Sequence, residues 1–208
     1  MDDAPDPTAR ATASRDAAAR DGKLLARAAG GDHSAFDALV RQHTPKMYRV
    51  ALRITGSAAE AEDVVQEAWL SSWRALAGFR HESAVSTWLY RVVTNGALAH
   101  VRRRRPTVSL DDVRPGGEEY GRSPLDGALL AAAQASPEGQ VVRAEQVDAV
   151  LRAIAGLEVS QRVPLVLREL EGLSYEEVAE VLEVSVPALR SRLHRARVAL
   201  LAKLREQR

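Results

Sequence analysis

Residues 172–200 read GLSYEEVAEVLEVSVPALRSRLHRARVAL. Gly172 closes one helical stretch, and Ser174 followed by Glu177 makes a capping box for a short helix from Tyr175 to Leu182. Three residues, Glu183, Val184 and Ser185, separate it from a last helix that Ser185 caps and that runs from Val186 to about Leu204. Two helices joined by so short a turn, the second one basic, predict a helix-turn-helix. In the second helix Leu189, Leu193, Ala196 and Leu200 form one apolar stripe, which leaves Arg190, Ser191, His194, Arg195 and Arg197 on faces that reach outward. Arginine pairs bidentately with guanine in the major groove, while hydroxyl and basic side chains near a helix start hold phosphates. From Val186 onward seven basic residues stand against one acid, Glu206, whereas residues 158–183 hold seven acids and two arginines. That partition predicts that DNA approaches only from the last helix. The competing reading is an ordinary solvated face on a terminal amphipathic helix.

Upstream, apolar spacing predicts helices over Val147 to Ala155 and about Ser160 to Glu171, with Pro164 tolerated in the first turn. Together these make a C-terminal domain over 146–208. Residues 106–145 differ: Pro106, Pro115, Gly116, Gly117, Gly121, Pro124, Gly127, Pro137 and Gly139 punctuate them, and three basic residues face seven acids. They read as an acidic flexible linker, with room for a short helix from Leu125 to Ala135. Residues 22–105 carry thirteen basic residues against seven acidic and form the N-terminal domain. There Asp32 caps a helix through Phe36, Leu39, Val40, Met47, Val50, Ala51 and Ile54, which Pro45 is expected to bend or break. Gly56 ends it, and Ser57 with Glu60 opens a helix carrying Ala61, Val64, Val65, Ala68, Leu70 and Trp73. After Gly78, Ser83 caps a third helix through Val85, Trp88, Leu89, Val92, Val93, Leu98 and Val101, ending in Arg102 to Arg105. Residues 1–21 lack a sustained apolar period and are expected to be a disordered tail. The fold class is therefore all-α: two small helical domains joined by a flexible linker, the second a helix-turn-helix.

Composition excludes several classes of function. Of 208 residues 46% are hydrophobic and 27% charged, as in globular chains, and the net charge is +1. With no cysteine there is no disulfide, thiol nucleophile or cysteine-based zinc site. No stretch approaches the ~20 apolar residues of a membrane span, and Met1 to Pro7 lacks the parts of a signal peptide, so a soluble cytoplasmic protein is expected. The five histidines are scattered and no phosphate-binding glycine loop occurs, which predicts no catalytic residues, no metal and no cofactor.

Seven of the nine aromatic residues lie in the N-terminal domain. Helical spacing assigns most of them to the core, but Phe79, Trp88 and Tyr90 lie near Arg80, Arg91 and Asn95. Aromatic rings, cations and an amide together suit the stacking and edge-reading of single-stranded bases. The arginine run Arg102 to Arg105 suits a backbone, although cations also relieve the carbonyl end of a helix. Glu60, Glu62, Asp63, Gln66 and Glu67 form an acidic patch on this basic domain, either solvated or fitted to a basic partner helix.

Three blocks in this order, AFDALVRQHTPKMYRVALRITGSAAEAEDVVQEAWLSSWRAL (35–76), FRHESAVSTWLYRVVTNGALAHVRRRR (79–105) and the 172–200 stretch, closely resemble the extracytoplasmic-function (ECF, group 4) sigma factors of bacterial RNA polymerase. The resemblance covers about residues 22–105 and 146–204 and implies a sigma region 2 domain followed by a region 4 domain. It implies that Asp63, Gln66 and Glu67 dock on the clamp helices of the polymerase largest subunit. Phe79, Arg80, Trp88, Arg91, Asn95, Arg102 and Arg103 would melt and read the −10 element, with Asn95 in a pocket for a flipped base. Arg190, Ser191, His194 and Arg195 would enter the −35 major groove. Promoter DNA, core RNA polymerase and an anti-sigma factor are the implied partners. Two departures bear on DNA contacts: Ala99 stands where many members carry an acid, and Pro187 with Ala188 where they often read Gly-Thr. The rival reading is a conventional helix-turn-helix regulator that binds duplex DNA without polymerase.

Overall fold

The computed structural model describes residues 7–79, 83–104, 147 and 149–206. The expected linker with its optional short helix, and the residues Arg80 and Arg105, lie outside them. All regular structure among the described residues is helical. The chain divides into two compact units, one drawn from residues 1–52 and 57–100 and the other from 53–56 and 101–208.

In the first unit α1 (Pro7–Ala29) makes residues 7–21 of the expected disordered tail helical. Six alanines between residues 9 and 19 supply intrinsic helix preference where an apolar stripe is missing. Further along, Leu25 and Ala28 are buried, and Asp21 enters a polar clasp. Gln42 Nε2 donates to Asp21 Oδ1 at 2.7 Å, and His43 Nε2 lies 2.9 Å from Oδ2, with Asp21 and His43 both buried.

The junction from α1 to α2 (His33–Thr55) turns on one left-handed glycine and one carboxylate. Gly31 has φ +94°, and the Asp32 N–H reaches back to the Arg27 carbonyl at 3.1 Å, the bond pattern of a Schellman end. Asp32 Oδ1 then accepts from the Ala35 N–H at 3.1 Å and from the Ser34 hydroxyl at 2.6 Å, as an N-cap does. Its Oδ2 accepts from Arg27 Nε at 3.0 Å. These hydrogen bonds, Ser34 foremost and then Arg27 and Ala35, hold the Asp32 carboxyl down at about 2.

Pro45 does not break α2, which continues through it to Thr55. Proline removes the N–H that would bond the Arg41 carbonyl and its ring crowds that carbonyl, a local cost within a helix of 23 residues whose proline lies on the exposed side. Gly56, with φ +76°, stops α2 as expected. Ser57 caps α3 (Ala58–Ala75) by accepting from the Glu60 N–H, and a single 3-10 turn, Leu76–Gly78, follows. The first bond of α4 (Val85–Arg104) runs from the Trp88 N–H to the Ala84 carbonyl, so this helix starts one residue later than a Ser83 cap would give. Leu25, Leu39, Met47, Val50, Val64, Leu89 and Val93 form the buried interior. At Gly96 α4 lies close to α3, where a Cβ would stand 3.4 Å from Val64 Cγ1.

Beyond the expected linker the second unit holds α5 (149–155) and α6 (Val159–Leu165). Because α6 begins at Val159, Pro164 falls in its second turn rather than its first, and the chain passes into a π-helical turn over Val166–Leu170. Then α7 (Tyr175–Val181) starts with the predicted capping box: the Glu177 N–H donates to Ser174 Oγ at 3.1 Å and the Ser174 N–H to Glu177 Oε2 at 2.7 Å. It ends in another Schellman pattern, with the Val184 N–H on the Ala179 carbonyl and the Glu183 N–H on the Glu180 carbonyl. Glu183 takes the left-handed position, φ +53°. Ser185 caps α8 (Val186–Glu206), accepting at Oγ from the Ala188 N–H at 3.3 Å. The predicted stripe of Leu189, Leu193, Ala196 and Leu200 is fully buried. Its lower part closes a core with Ala153, Ile154, Leu157, Leu165 and Val166.

Candidate nucleic-acid and partner surfaces

On α8 the structure leaves Arg190 and His194 exposed and Ser191 and Arg195 half-buried, opposite the apolar stripe. Pro187 and Ala188 sit in the first turn, where a proline costs no helical donor. Arg197, expected to face outward, instead turns inward. Its Nε donates to Glu169 Oε1 at 3.1 Å and its Nη2 makes a second bond to the same oxygen. The Glu169 side chain is 2% exposed and that of Arg197 15%. Burial alone would lower the guanidinium pKa, but the Glu169 carboxylate and Tyr175 outweigh it and raise it.

The acidic stretch 158–183 is less repellent than its count of charges implies. Glu169 is consumed by Arg197, and Glu177 by its cap. Arg168, from the π turn, lies over the Tyr175 ring at 4.9 Å from the centroid, and Arg190 lies over the same ring at 5.5 Å. Cations from two elements therefore meet at Tyr175, so the basic surface is not confined to the last helix. No sequence pattern marked Arg168, because it lies among acids; only the π turn and the helix-turn-helix angle bring it to α8.

Trp88, Arg91, Asn95, Ala99 and Arg102 share one side of α4. Asn95, Arg102 and Arg103 are exposed, and Trp88 and Arg91 half-buried. Phe79 packs on Trp88 with ring centroids 5.0 Å apart and planes at 56°. Tyr90, by contrast, belongs to the core at 9% exposure. The predicted readers thus gather as an aromatic pair at one end of a stripe and arginines at the other, with the amide between.

On α3, Asp63, Gln66 and Glu67 are exposed on one face, and Leu70 continues that face at 51% exposure. Leu70 was expected on the apolar side; it is an exposed apolar residue at the end of an acidic row. Trp73 is also partly open, stacked on His33 at 5.1 Å and set edge-on to Phe36 at 4.8 Å. Among the described residues no group of acids and histidines is arranged to hold a metal, and no helix is long and apolar enough to cross a membrane.

Comparison with known proteins matches two stretches of the chain to named regions. The family profile of Sigma-70 region 2 matches residues 39–107, and that of Sigma-70, region 4 matches residues 148–200. An RNA polymerase sigma-H factor of Pseudomonas aeruginosa is 40% identical over 183 residues, covering 87% of this chain and 92% of the relative. An ECF RNA polymerase sigma-E factor of Escherichia coli K12 is 38% identical over 180 residues, 85% and 90% of the two chains. Among solved structures, CnrH in complex with the cytosolic domain of CnrY superposes with a TM-score of 0.64 at 26% identity, over 91% of this chain and 99% of that one. The sigma factor RpoE of Bartonella quintana, solved with the anti-sigma factor NepR, shares the fold with a TM-score of 0.56 at 22% identity, over 83% and 98% of the two chains. The chain belongs to the ECF sigma factors, RNA polymerase sigma factors built from sigma-70 regions 2 and 4.

Proposed function

We propose that the chain directs core RNA polymerase to its promoters with three surfaces of different chemistry. The face of α8 carrying Arg190, Ser191, His194 and Arg195 enters the −35 major groove as duplex. There the two arginines supply paired N–H donors for guanine, and Ser191 holds the backbone. The stripe on α4 handles the −10 element as separated strand. Phe79 and Trp88 offer stacking surface, Asn95 reads the edge of an extruded base, and Arg91, Arg102 and Arg103 neutralise phosphates, with Arg80 as a further contact. Asp63, Gln66 and Glu67, extended by Leu70, dock on the clamp helices of the polymerase largest subunit. The unit of α1–α4 acts as the region 2 domain, the unit of α5–α8 as the region 4 domain, and residues 106–145 as the tether between them.

The single observation that carries this reading is the difference between the two basic surfaces. A solvent-facing recognition helix suits paired DNA, and an amide set between aromatic rings and arginines suits unpaired bases. The protein performs no catalysis of its own; bond making belongs to the polymerase, in the cytoplasm where transcription occurs. An anti-sigma protein as regulator is supported by the similar CnrH, solved in complex with the cytosolic domain of CnrY.

Single-round run-off transcription with purified core enzyme tests the proposal. Promoter-specific transcripts that depend on the added chain are the expected result. Tight sequence-specific binding of the chain alone to duplex DNA, without stable association with core, would overturn it in favour of a conventional regulator.

A further inference from the structure

Tyr175 opens α7, between the π turn that carries Arg168 and the helix that carries Arg190. Both guanidiniums lie over its ring, at 4.9 and 5.5 Å from the centroid, inside the range of cation–π attraction. The two are held differently. Arg168 also donates through Nη1 to the Leu173 carbonyl at 3.0 Å, whereas among the described residues the ring is the contact that holds Arg190.

A guanidinium has two usable surfaces, a flat face and a rim of five N–H donors. A carboxylate partner occupies the rim, as Glu169 does on Arg197. An aromatic ring offers no lone pair to those donors. Arg190 is exposed and its partner is a ring rather than a carboxylate, so its rim stays available for the O6 and N7 of guanine.

We infer that Tyr175 is a positioning residue for −35 recognition: its ring orders the Arg190 guanidinium before DNA arrives while leaving the base-reading donors unspent. The inference rests on the proposed −35 role of α8. Ordering a long side chain in advance reduces the rotamer entropy lost on binding, and so sharpens discrimination at the base that Arg190 reads. Tyr175 makes no base contact in this role.

The test uses the full chain assembled with core RNA polymerase and a promoter library randomised over the −35 element, sequenced before and after selection. Arg190→Ala identifies the position that Arg190 reads. Tyr175→Leu is expected to lower preference at that same position by about threefold to tenfold and to add nothing when combined with Arg190→Ala. Tyr175→Phe, which keeps the ring, is expected to retain the preference within about twofold. A uniform loss across all −35 sequences, a loss that persists in the Arg190→Ala background, or no loss at all would overturn the positioning role. If Arg190→Ala changed no preference anywhere, the −35 assignment itself would fall, a distinguishable result. One measurement does not depend on the folding of any variant at Tyr175. In the wild-type chain the ring should displace the Arg190 side-chain proton resonances upfield, assigned by comparison with Arg190→Lys, and undisplaced resonances would overturn the inference.

Discussion

Arg195 and Arg197 stand two residues apart on one helix, and replacing each by alanine should produce opposite phenotypes. Arg195 lies on the face proposed to enter the groove, so Arg195→Ala should cost about 1–3 kcal/mol of discrimination at one base pair and leave the melting temperature nearly unchanged. Arg197→Ala strands the Glu169 carboxylate, whose side chain is 2% exposed, and should cost about 3 kcal/mol of stability. Thermal unfolding of the two variants beside −35 selection decides this; equal melting temperatures would remove the inward pair from the account. Glu183 makes a third case. A side chain at φ +53° occupies a position that glycine fills without strain, so Glu183→Gly should raise stability by about 0.5–1 kcal/mol, read as a higher denaturant midpoint.

At the scale of elements, the Asp32 junction responds to acid in a defined direction. Its carboxyl is held below the ordinary aspartate value by hydrogen bonds from Ser34, Arg27 and Ala35, so the ionised form stabilises the fold. That stabilisation is complete above the ordinary value near 3.8 and is lost as the pH falls through about 2. Asp32→Asn should therefore melt below wild type at neutral pH, with the gap closing as both are acidified towards about 2; a gap independent of pH would contradict the assignment. The elements also show what the sequence makes legible. The capping box of Ser174 and Glu177, the helix-ending Gly56 and Gly172 and the stripe of Leu189, Leu193, Ala196 and Leu200 are local signals, and each is found where expected. Three features escaped a reading based on the local apolar pattern. The helix over residues 7–21 is alanine-rich and leads to Asp21, whose partner His43 lies 22 residues away. Pro45 lies inside α2, on its exposed side, without ending it. Arg168 gains meaning only from a ring that the following elements set beneath it.

At the scale of the whole molecule, polymerase docking and DNA reading should be separable by mutation. Asp63→Ala with Glu67→Ala removes two exposed acids from α3 that touch neither proposed DNA surface. It should weaken association with core RNA polymerase on the order of tenfold, measured by fluorescence anisotropy, while the isolated chain keeps its fold. Unchanged affinity for core would move the docking surface elsewhere. The clasp between Asp21 and His43 bears on where a working fragment can begin. The region 2 profile starts at residue 39, yet a chain trimmed there would bury His43 without its carboxylate and leave the hollow of Leu25 and Ala28 unfilled. The smallest autonomous piece is thus larger than the shared sequence signature, and a gene fragment cut at residue 39 should yield aggregated polypeptide where one retaining α1 yields a cooperative melt.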